Sequence, residues 1–297
     1  FLARHQILSF EEITRLVRVF VQLGVRKVRI TGGEPLLRHR LETLIGMLSG
    51  ITKLEDIALT TNGYFLEKKA ALLKQSGLDR LTISLDTLNP ETFEKVAGKH
   101  LKLRYVLAGI EAAQEHGFAT LKINAVVKKG INEKDILALA DFGRRNALVV
   151  RFIEYMDVGT LNGWRMADVI AAREIISMIS AKWPIEPMQK NYVGEVANRY
   201  RYLDGGGEVG IIASVTQPFC TDCTRARLSA DGKFFTCLFA NSGFNVLQLL
   251  RSGVSDKQLL DKVTSIWRGR TDRYSEERFT FTKLPVKKRV EMYQIGG

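Results

Sequence analysis

In the first half of the chain the spacing of apolar residues switches repeatedly between two periods. Runs rich in β-branched residues at 27–30, 56–59, 80–85, 121–127 and 149–155 read as strands. Between them apolar residues return every three or four positions, the spacing of a helix with one buried face. Helices are expected at 9–23, 41–48, 65–75, 105–116 and 133–144. The first opens on Ser9-Phe10-Glu11-Glu12, a capping-box pattern. Gly24, Gly77 and Gly117 stand where helices should end, because glycine accepts the left-handed conformation that closes a helix. Steady alternation of strand and helix predicts parallel βα units and an α/β fold.

Beyond Asp157 the period changes. A helix is expected at 166–181, strands at 199–203 and 208–213 around Gly205-Gly206-Gly207, and short helices at 245–251 and 257–267 before a basic tail. No stretch is rich enough in proline, glycine or serine to be a free linker. Residues 158–297 are therefore read as a module packed against a domain of residues 1–157.

All three cysteines, Cys220, Cys223 and Cys237, lie in one stretch reading FCTDCTRARLSADGKFFTCLF, spaced C-x2-C-x13-C. Ala230-Asp231-Gly232 between apolar runs predicts a hairpin that returns Cys237 toward the other two. Two registers are open. A two-residue turn at Asp231-Gly232 pairs Ala226 with Cys237 and turns Arg225 and Arg227 to the opposite face. A three-residue turn with Gly232 left-handed pairs Arg225 with Cys237 and gathers both arginines and the thiol on one face. The second is preferred, since it sets a metal site beside two cations. Structural zinc takes four protein ligands, yet no histidine follows His116. An iron–sulfur cluster is also normally held by four thiolates, so three leave one iron open to another ligand.

Composition narrows the class. The 297 residues are 45% hydrophobic, enough for one large α/β domain or two smaller ones, and no apolar run approaches membrane-spanning length. Lys and Arg outnumber Asp and Glu by 44 to 32, a net charge of +12 spread along the chain. That distribution favours a phosphate-bearing small molecule over a nucleic-acid-binding arm. An odd cysteine count with no secretory signal fits a reducing, cytoplasmic setting rather than a disulfide.

The predicted strands run into loops able to carry chemistry: Thr31-Gly32-Gly33-Glu34-Pro35, Thr60-Thr61-Asn62-Gly63, Ser84-Leu85-Asp86 and Glu154-Tyr155-Met156-Asp157. Ligands of parallel α/β folds bind at the carboxyl ends of strands, so these loops should line one pocket. Gly32-Gly33 permits close backbone approach, and Glu34 can accept a hydrogen bond from an ammonium group. Lys27 and Arg29 share one strand face, and Arg151 sits in an apolar run where a cation needs a partner.

Taken in this order, TGGEP, TTNG, SLD and RFIEYMD, followed by the cysteine hairpin and a Gly296-Gly297 tail, resemble the radical S-adenosylmethionine family. Within it the likeness is to the GTP-cyclising members that begin molybdenum cofactor biosynthesis. It runs from about Leu8 to Gly297. The GGEP-like motif is shared across the whole family, whereas the hairpin with two arginines and the Gly-Gly tail are distinctive of this branch.

The resemblance implies an incomplete parallel (β/α) barrel whose open side is closed by a C-terminal α+β module. It implies one 4Fe–4S cluster on a C-x3-C-x2-C loop, which binds and cleaves S-adenosylmethionine. A second 4Fe–4S cluster, on Cys220, Cys223 and Cys237, is implied to bind the purine of GTP through its open iron. The 5′-deoxyadenosyl radical abstracts a ribose hydrogen, and the sugar carbon attacks the base to give (8S)-3′,8-cyclo-7,8-dihydroguanosine 5′-triphosphate. By position, Gly32, Gly33, Glu34, Thr60, Ser84 and Met156 are implied to face S-adenosylmethionine. Lys27, Arg29, Lys122, Arg151, Arg225, Arg227, Gly296 and Gly297 are implied to surround GTP. A homodimer, an electron donor and a downstream pterin-forming enzyme are the implied partners, with no membrane and no nucleic acid.

One element of the pattern is absent. No C-x3-C-x2-C occurs in these residues, and the likeness starts just after the segment that should carry it. An N-terminal piece is therefore expected to be missing, and the chain as it stands is expected not to cleave S-adenosylmethionine. The competing class is a non-catalytic, zinc-stabilised basic protein that binds nucleotide or RNA through a cysteine knuckle. Against it, the hairpin lacks a clear fourth ligand, and aromatic residues do not cluster among its basic positions.

Overall fold

The computed structural model describes residues 2–281 and 290–296. The first 154 positions carry α1 (Phe10–Gln22), β1 (Lys27–Ile30), α2 (Leu41–Ser49), β2 (Asp56–Thr61), α3 (Ala70–Gln75), β3 (Arg80–Ser84), α4 (Pro90–Ala97), α5 (Leu103–Glu115), β4 (Lys122–Val127), α6 (Ile136–Arg145) and β5 (Val149–Glu154). Strands β1 to β5 lie side by side, parallel and in chain order. After α7 (Ala172–Lys182) come β6 (Ile185–Met188), β7 (Asn198–Tyr202) and β8 (Glu208–Ile212). β8 joins β5 as a sixth parallel strand, and β7 and β6 follow it antiparallel. The architecture is an incomplete parallel (β/α) barrel, its sheet continuing past Asp157 into the C-terminal half.

The rest is a small sheet and short helices: β9 (Arg227–Leu228), β10 (Lys233–Phe235), β11 (Phe244–Asn245), α8 (Val246–Arg251), α9 (Asp256–Arg268), α10 (Tyr274–Phe281) and α11 (Met292–Ile295). No helix among the described residues is long and apolar enough to cross a membrane.

Strand alternation sorts the barrel into two faces. Ile57, Leu59, Leu81, Ile83, Ile123, Val150, Phe152 and Ile211 are buried in the main core with the helices. Their neighbours in sequence, Lys27, Arg29, Thr60, Arg80, Thr82, Lys122, Asn124 and Arg151, take the other face because successive side chains on a strand point oppositely. The barrel interior is therefore polar. A second core joins Leu8, Leu16 and Val19 to Phe234, Val246, Leu250, Leu259 and Val263, and Leu8 donates its backbone N–H to the Ala230 carbonyl at 2.9 Å. This cluster ties the cysteine hairpin to α1.

Several boundaries differ from the expectation at 65–75 and 166–181. Residues 63–69 form successive tight turns, with Leu66 donating to Gly63 at 3.1 Å and Lys69 to Leu66 at 3.0 Å, before α3 begins at Ala70. α7 begins only at Ala172, whose N–H is taken by the Glu154 carboxylate at 2.7 Å. That bond does what the side chain of Ala171, in the capping position, has no oxygen to do. α4 was not anticipated, although Asn89 caps it through Thr92 N at 2.9 Å. Neither was β6, an edge strand containing Pro187, where proline costs no ladder bond.

Gly109 on α5 lets the helix rest directly on the loop after β2. A Cβ there would lie 2.6 Å from the Gly63 carbonyl oxygen and 3.0 Å from Leu66 Cβ. Gly109→Ala is expected to lower stability by about 2 kcal/mol, read by denaturant unfolding.

Candidate functional site

The carboxyl ends of β1, β2, β3 and β5 bring the glycine-rich loop, Thr60, Ser84 and Met156 to one end of the barrel, as the motif order predicts. Gly32 has φ 138° and nothing within 4 Å of a built Cβ, so its backbone is open to a ligand. Glu34 is more occupied than expected. Its Oε1 accepts from Leu36 N at 2.9 Å and Thr61 Oγ1 at 2.7 Å, and its Oε2 from Asn62 N at 2.8 Å. The carboxylate thus laces the first two loops together, and an ammonium group would share it with three protein donors. Ser84 is exposed at the end of β3. Met156 is half-buried, its carbonyl accepting from Asn162 Nδ2 at 2.9 Å.

Below these loops the cations converge. Arg29 Nη1 donates to Thr60 Oγ1 at 2.9 Å and Thr82 Oγ1 at 3.1 Å, and Arg151 Nη2 reaches the same Thr82 hydroxyl at 3.4 Å. Lys122 and Arg151 line a pocket with Asn191, Glu195 and Arg199. Burial, reinforced by the guanidinium groups of Arg151 and Arg80, pushes Lys122 down to about 8 against the opposing pull of Glu195. Burial beside Arg29 pushes Arg151 down to about 10. Desolvated cations held together in this way favour an anion that neutralises them. Lys27 lies with its Nζ 3.9 Å over the Tyr192 ring, so the loop between β6 and β7 reaches across to β1.

The hairpin adopts the three-residue turn with Gly232 left-handed. Phe234 pairs with Leu228 and Phe235 with Arg227, the register that, carried two residues outward, would bring Arg225 level with Cys237; the regular pairing itself stops at Arg227. Gly232 has φ 71°, and Ser229 and Lys233 close the three-residue turn through Ser229 N to Lys233 O at 2.9 Å. All three cysteines are free and half-buried. Arg225 Nη2 donates to Cys223 Sγ at 3.3 Å. Burial pushes the Cys223 thiol up, but the charge and hydrogen bonds of Arg225, with Arg227, outweigh it and hold the thiol below its ordinary value. Burial pushes Cys237 up, with the Asp272 carboxylate adding to it. Among the described residues no three His, Cys, Asp or Glu side chains close tightly enough to hold a single metal ion.

Arg227 connects this hairpin to the barrel. Burial beside Arg225 pushes it down to about 10, and its Nε donates to the Gly296 carbonyl at 3.3 Å. Gly296 has φ 70°, and a Cβ there would lie 2.2 Å from Thr31 Cγ2 and 3.3 Å from Gly32 N. Only glycine fits between hairpin and glycine-rich loop. Glu291 anchors the approach, accepting from Thr160 N at 2.8 Å. Gly297 lies outside the described residues.

Sequence reasoning overlooked Thr82, Asn124, Tyr192 and Glu195. The first two were accessible through strand alternation, two positions from Arg80 and Lys122. The last two sit on the β6–β7 loop, with no local signal.

Comparison with known proteins gives the family. Residues 2–143 match the family described as Radical SAM superfamily, and residues 148–276 that described as Molybdenum Cofactor Synthesis C. A solved structure titled native anSMEcpe with bound AdoMet and Kp18Cys peptide shares the fold at TM-score 0.52 and 14% identity, over 86% of this chain and 74% of that one. The fold and the matched families define a radical S-adenosylmethionine lyase of molybdenum cofactor biosynthesis. Curated relatives narrow this further. A GTP 3′,8-cyclase of Acidothermus cellulolyticus is 54% identical over 94% of this chain and 78% of its own length. One from Xanthomonas campestris is 47% identical over 98% and 85%, and one from Staphylococcus aureus 43% over 100% and 88%. This chain belongs to the GTP 3′,8-cyclase family.

Proposed function

We propose that this chain forms the substrate-binding body of a GTP 3′,8-cyclase, with residues 1–157 shaping the S-adenosylmethionine end and 158–297 presenting GTP. The observation that carries the reading is the pair of hairpin arginines: Arg225 donates to Cys223 Sγ, and Arg227 lies near Cys223 and Cys237 and is tied to Gly296 beside the glycine-rich loop. A 4Fe–4S cluster on Cys220, Cys223 and Cys237 would supply an open iron for the purine.

The chain's own residues then divide the work. Gly32 and Gly33 give backbone access for the amino-acid end of S-adenosylmethionine, Thr60 and Ser84 offer hydroxyls, and Met156 lies against the adenine. Lys27, Arg29 and Lys122 face the triphosphate, Arg151 contacts the nucleotide one register step beyond them, and Arg225 and Arg227 hold it near the hairpin. Charge-assisted bonds from these groups are the stronger kind. Gly297 is included with Gly296 as a substrate contact by resemblance.

The three cysteines of this chain all lie in the hairpin, so a separate ligand set for a cleaving cluster is not among these residues. Incubated alone with S-adenosylmethionine and a strong reductant, the chain is expected to yield no 5′-deoxyadenosine by chromatography.

Lys122 makes GTP binding pH-dependent. It must be protonated to face phosphate, and in the free protein it loses its proton near pH 8, whereas a bound triphosphate raises its pKa. Affinity is therefore expected to fall by up to about tenfold per pH unit above 8. Titrations from pH 7 to 9.5 check this, and Lys122→Arg should flatten the profile.

The reading is tested by iron, zinc and acid-labile sulfide per chain after anaerobic reconstitution, with and without GTP. About four irons with matching sulfide, and a spectral change on adding GTP, support it. About one zinc per chain without sulfide would move the assignment to a metal-stabilised binding protein.

A further inference from the structure

Two buried polar atoms inside the barrel have no partner and stand on neighbouring strands. Asn124 Oδ1, an acceptor, and Arg151 Nε, a donor, are both buried and without hydrogen bonds. The two residues are register partners across β4 and β5, with Ser84 next in line on β3. They do not satisfy each other. Leaving a buried acceptor and a buried donor side by side costs about 1–3 kcal/mol for each, so the pair describes the complement of something that binds there.

The chemistry of that complement is narrow. With the amide oriented as it stands, a phosphate oxygen, which can only accept, would leave Asn124 Oδ1 unsatisfied, whereas an ammonium, which can only donate, would leave Arg151 Nε so. A hydroxyl does both, giving its proton to Oδ1 and a lone pair to the Nε–H. Arg151 is held for this role. Its Nη2 is drawn to Thr82 at 3.4 Å, and its stem lies over Gly210, where a Cβ would come within 2.9 Å of Arg151 Cγ. These contacts leave Nε as the free donor.

We infer that Asn124 and Arg151 Nε form a ribose-hydroxyl site, making Asn124 a specificity-determining residue that selects ribonucleotide over deoxyribonucleotide and orients the sugar. The inference rests on the GTP reading above. The level of the pair supports it, lying one register step beyond Lys122, Thr82 and Thr60 and on the side of the carboxyl-end loops. A nucleotide with its phosphates among the lower cations and its base toward the hairpin has its sugar at that level.

The test is calorimetric titration of the reconstituted chain and of Asn124→Ala and Asn124→Asp with GTP, 2′-deoxy-GTP and 3′-deoxy-GTP. In the unmodified chain one deoxy analogue is expected to bind about tenfold more weakly than GTP. In Asn124→Ala that ratio should shrink to about one because GTP loses affinity while the analogue does not. Asn124→Asp retains an acceptor and should retain most of the ratio. Iron content and thermal unfolding of the variants report whether the fold is intact. Two results would overturn the site: both analogues binding within about twofold of GTP to the unmodified chain, as a water-filled pair predicts, or a tenfold ratio that survives Asn124→Ala. Failure of GTP to bind the iron-loaded chain would instead remove the functional reading and this inference with it.

Discussion

Replacing Cys223 with serine is expected to reduce iron retained after anaerobic reconstitution from about four atoms per chain to less than about one. Thermal unfolding of the unreconstituted protein should scarcely change. Cluster ligands must be thiolates, and Cys223 is the cysteine whose surroundings favour that form, since Arg225 and Arg227 overcome its burial. Serine keeps the size of the side chain but not an ionisable sulfur. Cys237→Ser should behave alike, its thiol lying within reach of the Arg227 charge. The separation of the two readouts matters. The hairpin is held by Phe234, Val246 and Leu250 against α1, not by its thiols, so loss of iron without loss of fold identifies ligands. A variant that keeps full iron and sulfide sinks the assignment of these cysteines.

Glu154→Ala is expected to lower stability by about 5 kcal/mol, read by chemical denaturation, and to leave little folded protein at 37 °C. Glu154 is fully buried at the end of β5. Its Oε1 accepts from Ala172 N at 2.7 Å and Thr216 Oγ1 at 2.5 Å, and its Oε2 from Val215 N at 2.7 Å and Thr216 N at 2.8 Å. One carboxylate thus starts α7 and fixes the loop after β8 to β5. Alanine strands two buried donors, the N–H groups of Ala172 and Val215, and leaves the two donors of the exposed Thr216 to water. Glu154→Gln keeps one acceptor oxygen and the size, and should cost about half as much. Nearby, Asp157 accepts from Arg278 Nε at 2.8 Å, and Arg278 Nη1 from α10 donates to the Ser214 carbonyl at 3.1 Å, so the end of β5 also anchors the C-terminal helices.

Glu154 illustrates where local reading fails. In the sequence it is an acidic residue in a loop-bearing motif, and the expectation made it part of a ligand pocket. Its side chain points into the core side of the sheet, opposite to Arg151 three residues earlier, and serves the fold. Glu34 has the same lesson in milder form, since its role as a latch between two loops depends on Thr61 and Asn62, which are distant in sequence. By contrast, the five strands, the glycine-terminated helices and the three-residue turn at Gly232 were readable directly. Each follows from contacts within a few residues or from a periodicity the chain repeats.

The sequence by itself determined that this protein alternates βα units, gathers its cysteines beside two arginines and ends its strands in glycine-, hydroxyl- and carboxylate-bearing loops, because backbone preference and side-chain alternation are local properties. The tertiary structure alone decided that β8 continues the barrel past β5, that Tyr192 reaches Lys27, that Gly296 slots between Arg227 and Thr31, and that Asn124 and Arg151 are left unsatisfied together. Those outcomes depend on which distant segments share a dry space, and burial and unpaired hydrogen-bonding groups exist only once the chain has closed around them.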